Sequence, residues 1–413
     1  REAGIAKLAD LGLPHPRLES WKYTNLRALD KADFRFAPHA PGPAAVERVP
    51  SLLPGETGSH RLVFVDGHFN ETLSAIDRLP EGAVLESLGA LLRQEPDWLE
   101  AHLDATDGED ALLALNSAMM AEGFVLRLAP GVDLVAPVEV IYLSNAPGNG
   151  GALAYHPRNL IILEDGAKAT VLEHHSGGAK AANFVNIATE VVLGEEALLR
   201  HYKLQNEAPT AFHLARVKAR VGKAASYDAF TLSIGAQLSR NEAHVRLEGE
   251  GADCHLNGAY LMRGQQHCVN TTVIEHLVPE TSCREIFKGV IDDRARAVFQ
   301  GRIVVHKGAQ KTNGHQLSKV RLLSDQAEID AKPELEIYAD DVLCSHGATA
   351  GDLDHDALFY LRCRGIPEAQ ARAMLIEAFL AEAINAIAAE GLCPALMTSV
   401  GHWLADREGP ETL

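Results

Sequence analysis

The sequence predicts a mainly β protein. A parallel β-helix (solenoid) core covers residues 124–349, an N-terminal mixed, mostly helical domain covers 1–123, and a C-terminal helical domain covers 350–413. Three observations point there. First, between Phe124 and Leu343 the chain consists of short apolar or alternating runs, among them NLIILEDG, ATEVVLG, ARVKARVG, EAHVRLEG and GRIVVHKG, each ending at a turn signal. Second, the turns recur. Gly166, Gly194, Gly222 and Gly251 follow one another at almost equal intervals, and the series passes through Glu280-Thr281 to Gly308. Third, a second series falls roughly halfway between: Gly178, Asn206-Glu207, Gly235, Gly264 and Asp292-Asp293. A fixed period of about 20 to 50 residues marks a solenoid. Two turns per period make each coil a flattened loop with two strand-bearing sides. A large antiparallel sandwich or barrel is the competing architecture, and the regular spacing weighs against it.

The flanks read as caps. A helix-like start leads into ESWKYTNLRAL (19–29), then a Pro- and Ala-rich loop at 37–54. RLVFVDGHFNETLS (61–74) reads as a hairpin turning at Asp66-Gly67. Helical patterns follow near 85–103 and 108–121. After the solenoid, Asp354 to Arg362 reads as a short helix broken at Gly365, and Pro367 fits the first position of the next, which runs to Gly391. Leu375, Ile376, Phe379, Leu380, Ala383, Ile384 and Ile387 form one apolar stripe on it. That stripe suits either packing on its own domain or docking a partner.

Composition narrows the function. With Lys plus Arg at 38 against Asp plus Glu at 56, the net charge of −18 argues against broad nucleic-acid binding. No apolar run of about 18 residues is present to span a membrane. The opening REAGIAKLADLGLP lacks a signal-peptide core, and six cysteines without a CxxC pair suit a reducing cytoplasm. There is no P-loop, GxGxxG, GxSxG or HExxH, so the chain reads as a non-enzyme.

The remaining chemistry lies in cysteine and histidine. Cys254-His255, His267-Cys268, His276, Cys283 and His306 fall in the solenoid, where buried thiols and edge histidines are the ordinary reading. Alternation puts Cys254 and His255 on opposite faces of a strand. Cys344 and His346, in DDVLCSHGATAGDLD, are spaced i and i+2 and so share a face at the end of the last coil. Thiolate and imidazole suit iron or zinc, and two ligands leave a site to be completed by a partner. A buried thiol beside a capping histidine is the bland alternative. Trp21-Lys22-Tyr23 reads as a packing anchor rather than a platform for a base or a flavin.

FKGVIDDRARAVFQGRIVVHKGAQKTNGHQ (287–316), LLSDQAEIDAKPELEIYADDVLCSHGATAGDLD (322–354), LFYLRCRGI (358–366) and ESWKYTNL near the start resemble the SufD family of iron–sulfur cluster assembly proteins. The sister SufB reads more like CEHEA where this chain has CSHGA, and the short length also favours the SufD side. At Asn313-Gly314-His315 the family is expected to carry Asp-Ala, a departure placed in a loop. The resemblance implies a right-handed β-helix and a scaffold that pairs with SufB through the end of the solenoid and docks the SufC ATPase through 350–413. It further implies that His346, the metal ligand, with Cys344 beside it, meets iron or a transient iron–sulfur cluster shared with SufB. It allows a reduced flavin in the complex and a homodimer of the isolated chain. The alternative function is a stand-alone metal- or flavin-binding β-helix protein. A β-helix carbohydrate enzyme is disfavoured by the missing signal.

Overall fold

The computed structural model describes residues 1–36, 49–53, 58–103, 110–144, 152–177, 183–389 and 391–406. Most of the Pro- and Ala-rich stretch 37–54, and Gly178 of the second turn series, lie outside these.

Two long sheets face each other in a β-solenoid of about seven turns with helices at both termini. The first sheet stacks Arg158–Leu163, Asn183–Leu193, Phe212–Val221, Leu238–Leu247, His267–His276, Arg296–Val305 and Glu328–Ile337. The second stacks Val138–Ser144, Lys168–Gly177, Leu198–Asn206, Ser226–Ser233, Asp253–Met262, Ser282–Ile291, Asn313–Leu322 and Leu343–Gly351. Successive strands pair in parallel. Coil length varies: the step along the chain from Arg296 to its partner Glu328 is longer than that from Phe212 to its partner Leu238. The register absorbs this variation in the corners, so the inward columns stay aligned. Val191, Val221, Val245, Ile274 and Ile303 from one sheet meet Val171, Leu199, Tyr227, Cys254 and Cys283 from the other in a continuous buried core. Each fully buried aliphatic side chain there contributes about 1.5–3 kcal/mol.

The corner glycines do two jobs. Gly251 adopts φ 75°, a left-handed conformation costly to other residues. Gly222 instead lets two turns approach, since a Cβ there would sit 2.6 Å from the Leu193 carbonyl oxygen. The left-handed position in other coils is held by Glu196, Ala224, Glu280 and Lys311. The series therefore continues through Glu280 without a glycine.

At its N-terminal end the solenoid is closed by antiparallel strands. His60–Val65 joins the second sheet and turns through Asp66-Gly67 onto His68–Phe69, as the sequence predicts. Ala83–Ser87 pairs antiparallel with Phe124–Leu128 at the end of the first sheet. The ESWKYTNL segment is held flat on the side of the solenoid. The Arg240 guanidinium stacks 4.0 Å over the Trp21 ring, donates to Thr24 Oγ1 at 3.1 Å and to the Ser20 carbonyl at 2.9 Å, and is 1% exposed. Trp21 is thus a packing anchor.

The C-terminal helices are His355–Arg362, Glu368–Ile384 and Leu392–Ala405. Asp354 caps the first through two backbone amides. Pro367 is the residue before the second helix rather than its first residue. The single helix expected up to Gly391 is two. The Ala388 amide donates to Tyr202 Oη on the solenoid (3.1 Å), which takes it out of a helical ladder, and Gly391, at φ 81°, starts the next helix. The apolar stripe packs on the solenoid of its own chain. Ile376, Leu380, Ala383, Ile384 and Ile387 lie against Leu204, Leu232, Leu261 and Val290 on the outside of the second sheet. Lys288 fastens the helix by donating to the Phe379 carbonyl (2.8 Å) and pairing with Glu382.

Candidate functional site

Cys344 and His346 lie on Leu343–Gly351, the last strand of the second sheet. In the strand beneath, Gly314, Gln316, Ser318 and Val320 face the core while the alternate residues are more exposed. Cys344 pairs with Gly314 and His346 with Gln316, so both belong to the core-facing side of the coil. Among the described residues no strand stacks above them, which leaves His346 exposed and Cys344 half-buried.

Two ladders descend from this pair into the solenoid. Below Cys344 come Gly314, Cys283 and Cys254 in register. The departure at Asn313-Gly314-His315 is therefore no loop feature. It lies at the start of Asn313–Leu322, and a methyl group on Gly314 would touch the sulfurs of Cys283 and Cys344 at 3.5 Å each. Below His346 come Gln316 and Glu285, where Gln316 Nε2 donates to Glu285 Oε2 at 2.7 Å. Room for Gln316 comes from Gly301 on the facing sheet, where a Cβ would lie 2.1 Å from Gln316 Nε2.

Burial sets the electrostatics of both ladders. It pushes the Cys344 thiol up from its ordinary value and raises those of Cys283 and Cys254 further. These groups are neutral thiols near neutral pH, and a metal would have to displace a proton to bind one. His276 lies at the side of the thiol ladder, with Nε2 3.2 Å from Cys283 Sγ and Nδ1 2.7 Å from Thr281 Oγ1, and burial lowers its pKa to about 4. Burial raises the Glu285 carboxyl to about 7 despite the hydrogen bond from Gln316. A carboxyl whose proton is favoured by burial thus sits two strands below His346.

Sequence reasoning selected Cys344 and His346 but missed Cys283, His276, Glu285 and Gln316 as their neighbours. The signal was present in the period: Cys254, Cys283, Gly314 and Cys344 recur one coil apart. Cys254 is buried and His255 points outward, as alternation requires. Cys268 is buried, and His306 sits on the surface beside Glu275 (3.1 Å). Among the described residues, the one set of three or more His, Cys, Asp or Glu whose ligand atoms lie mutually within 4.8 Å is elsewhere, at His175, Glu207 and His213. The open-end pair has no third such ligand from the described part of this chain.

The two edge strands at this end differ. Glu328–Ile337 carries Glu328, Asp330, Lys332, Pro333, Glu334 and Glu336, charges and a proline that discourage pairing. Leu343–Gly351 has no Asp, Glu, Lys, Arg or Pro. Beside it Leu343 is 71% exposed and Tyr338 62%. Phe359, Tyr360 and Met374 are further exposed large apolar side chains, on the C-terminal helices.

The family model described as "SUF system FeS cluster assembly, SufBD core domain" matches residues 144–379, and that of the "SufBD protein N-terminal region" matches 1–140. An iron–sulfur cluster assembly SufBD family protein of Synechocystis is 33% identical over 94% of this chain and 86% of its own length. The iron–sulfur cluster assembly protein SufD of Escherichia coli is 30% identical over 97% of this chain and 91% of its own. SufD of Bacillus subtilis is 27% identical over 97% and 92%. No helix among the described residues is long and apolar enough to cross a membrane.

Proposed function

Because the chain belongs to the SufBD family of the SUF iron–sulfur cluster assembly system, we propose that it is the scaffold subunit that completes a cluster-assembly site shared with a SufB partner. The carrying observation is a two-ligand set, Cys344 and His346, on the uncharged edge strand of an unfinished solenoid. SufB adds a strand or packs against this edge, covering Leu343 and Tyr338. His346 presents a neutral imidazole to iron, with Cys344 beside it, and SufB supplies the remaining ligands. Iron and the nascent cluster are cargo of the site.

The SufC ATPase docks on 350–413. The stripe of the second C-terminal helix is occupied by the solenoid, so the contact falls on exposed residues, with Phe359, Tyr360 and Met374 as the apolar anchors. ATP binding by SufC shifts the complex toward a state in which the SufB contact is loosened, which requires ATP to bind that state more tightly. Labelling of Cys344 by a thiol reagent in the complex rises on ATP addition; equal labelling with and without ATP defeats this step.

The test of the site is iron and acid-labile sulfide in the complex co-expressed with SufB and SufC. The His346→Ala complex assembles normally and loses its iron–sulfur content. Unchanged content in an intact complex makes His346 structural, and no complex with the wild-type chain overturns the partner assignment.

A further inference from the structure

We infer a second cation site, enclosed in the early coils of the solenoid and formed by His175, Glu207 and His213, for a divalent transition-metal ion bound through nitrogen and oxygen. The ligand atoms of these three side chains lie within 4.8 Å of one another, and all three residues are buried. They come from three places: the end of Lys168–Gly177, the corner after Leu198–Asn206, and the start of Phe212–Val221. The imidazole rings meet edge to face with centroids 4.8 Å apart.

The hydrogen bonds dictate where lone pairs are left. His175 Nε2 lies 3.0 Å from Glu173 Oε2, and Glu173 in turn meets His201 Nε2 at 2.8 Å. His213 Nδ1 lies 2.8 Å from Glu207 Oε1, and Gln205 Nε2 donates to Glu207 Oε2 at 2.5 Å. A carboxylate accepts only, so in the neutral imidazoles each of those ring nitrogens carries the hydrogen. The other nitrogens, His175 Nδ1 and His213 Nε2, are then bare lone pairs, and both are buried without a partner. Gln205 Oε1, on the side chain that holds Glu207, is a third buried acceptor without a donor. Glu207 faces His213 Nδ1, so a cation shared by these two side chains takes the place of the hydrogen between them, that hydrogen moves to Nε2, and the unmatched Nδ1 of His175 is the acceptor that such a cation satisfies.

The surroundings match a metal site beyond its ligands. A carboxylate behind a ligating histidine, here Glu173 behind His175, fixes the tautomer and orients the ring. Two histidines and one carboxylate form the donor set that holds zinc with an open position or non-haem ferrous iron. Binding draws the ligand atoms inward, since metal–nitrogen bonds of about 2.1 Å allow at most about 4.2 Å between ligands. Glu207 also lines a surface groove of about 820 Å³ that includes Asn206, Pro209, Gly235, Arg263 and Trp403, so one of the three ligands borders the solvent side. The site lies several coils from Cys344 and His346 and does not depend on the SufB reading.

The experiment titrates chelator-treated full-length chain with Co(II) and reads the visible spectrum. It uses a Cys344→Ala/His346→Ala variant, which removes the exposed ligands at the open end. One equivalent binds in that variant with d–d bands and without thiolate charge-transfer absorption. Glu207→Gln, nearly the same shape, lowers the affinity tenfold or more, and Zn(II) displaces the cobalt. Circular dichroism without metal shows whether Glu207→Gln folds. If it does not, His175→Asn takes its place with the same expected loss. No binding in the open-end variant, or binding that survives both interior substitutions, overturns the site and leaves those lone pairs to water.

Discussion

The two ends of the solenoid are finished in different ways. At the N-terminal end the chain supplies its own closure, with antiparallel strands on both sheets. At the C-terminal end both edges are bare, and one is uncharged. An exposed edge strand is a hazard that proteins normally manage. Managing one end within the chain and leaving the other open is what supports the proposal that a partner covers the second. The candidate ligands are at that second end.

Four changes test the contrast. Arg240→Ala frees the N-terminal arm from the side of the solenoid, leaving its closed end intact, and removes the buried ion pair with Glu242, so it costs about 3–5 kcal/mol. The measure is urea unfolding of the isolated chain, and a loss below about 1 kcal/mol means that the arm does not stabilise the solenoid.

Glu285→Gln probes the interior under the open end. The folded-state carboxyl is raised to about 7 from an ordinary 4.5. Between these values the folded state holds a proton that the unfolded state has lost, so stability falls as pH rises, by up to about 3 kcal/mol. The stability of Glu285→Gln relative to wild type therefore increases from pH 5 to pH 7.5. A pH-independent difference in urea midpoint shows that Glu285 is not protonated by burial.

Ile337→Glu with Leu343→Glu charges the open end. Exposed positions change folding by about 0.5 kcal/mol or less, but association with SufB in gel filtration weakens tenfold or more, about 1.4 kcal/mol. Unchanged association locates the partner elsewhere. The smallest effect is at a corner. Ala224 holds φ 50°, and Ala224→Gly relieves a left-handed conformation for a gain of about 1 kcal/mol. A lower melting temperature contradicts that reading of the turns.

The solenoid was legible because its period is written in turn residues, and the hairpin because Asp-Gly between apolar runs allows little else. The pairing of Cys344 with His346 was legible because strand alternation acts at a separation of two. The ladders beneath them were harder to see, since Gly314 replaces a cysteine in one and the spacing drifts from coil to coil in both. His175, Glu207 and His213 carry no sequence signature: they meet only because a corner folds two sheets together. The C-terminal helix was predicted too long because its break depends on Tyr202, far back along the chain on the solenoid. The apolar stripe, open between two uses in sequence, was settled by the sheet that it covers.

The contrast between the two edge strands has a cellular corollary. Glu328–Ile337, with its proline and four acidic residues, refuses most strangers, whereas Leu343–Gly351 does not discriminate by charge. On the proposed pairing, a copy synthesised in excess of its partner offers a template to whatever arrives first, including another copy of itself. Expression level then enters the proposed assembly: synthesis in matched amounts protects the edge, and surplus chains are the ones exposed to self-association.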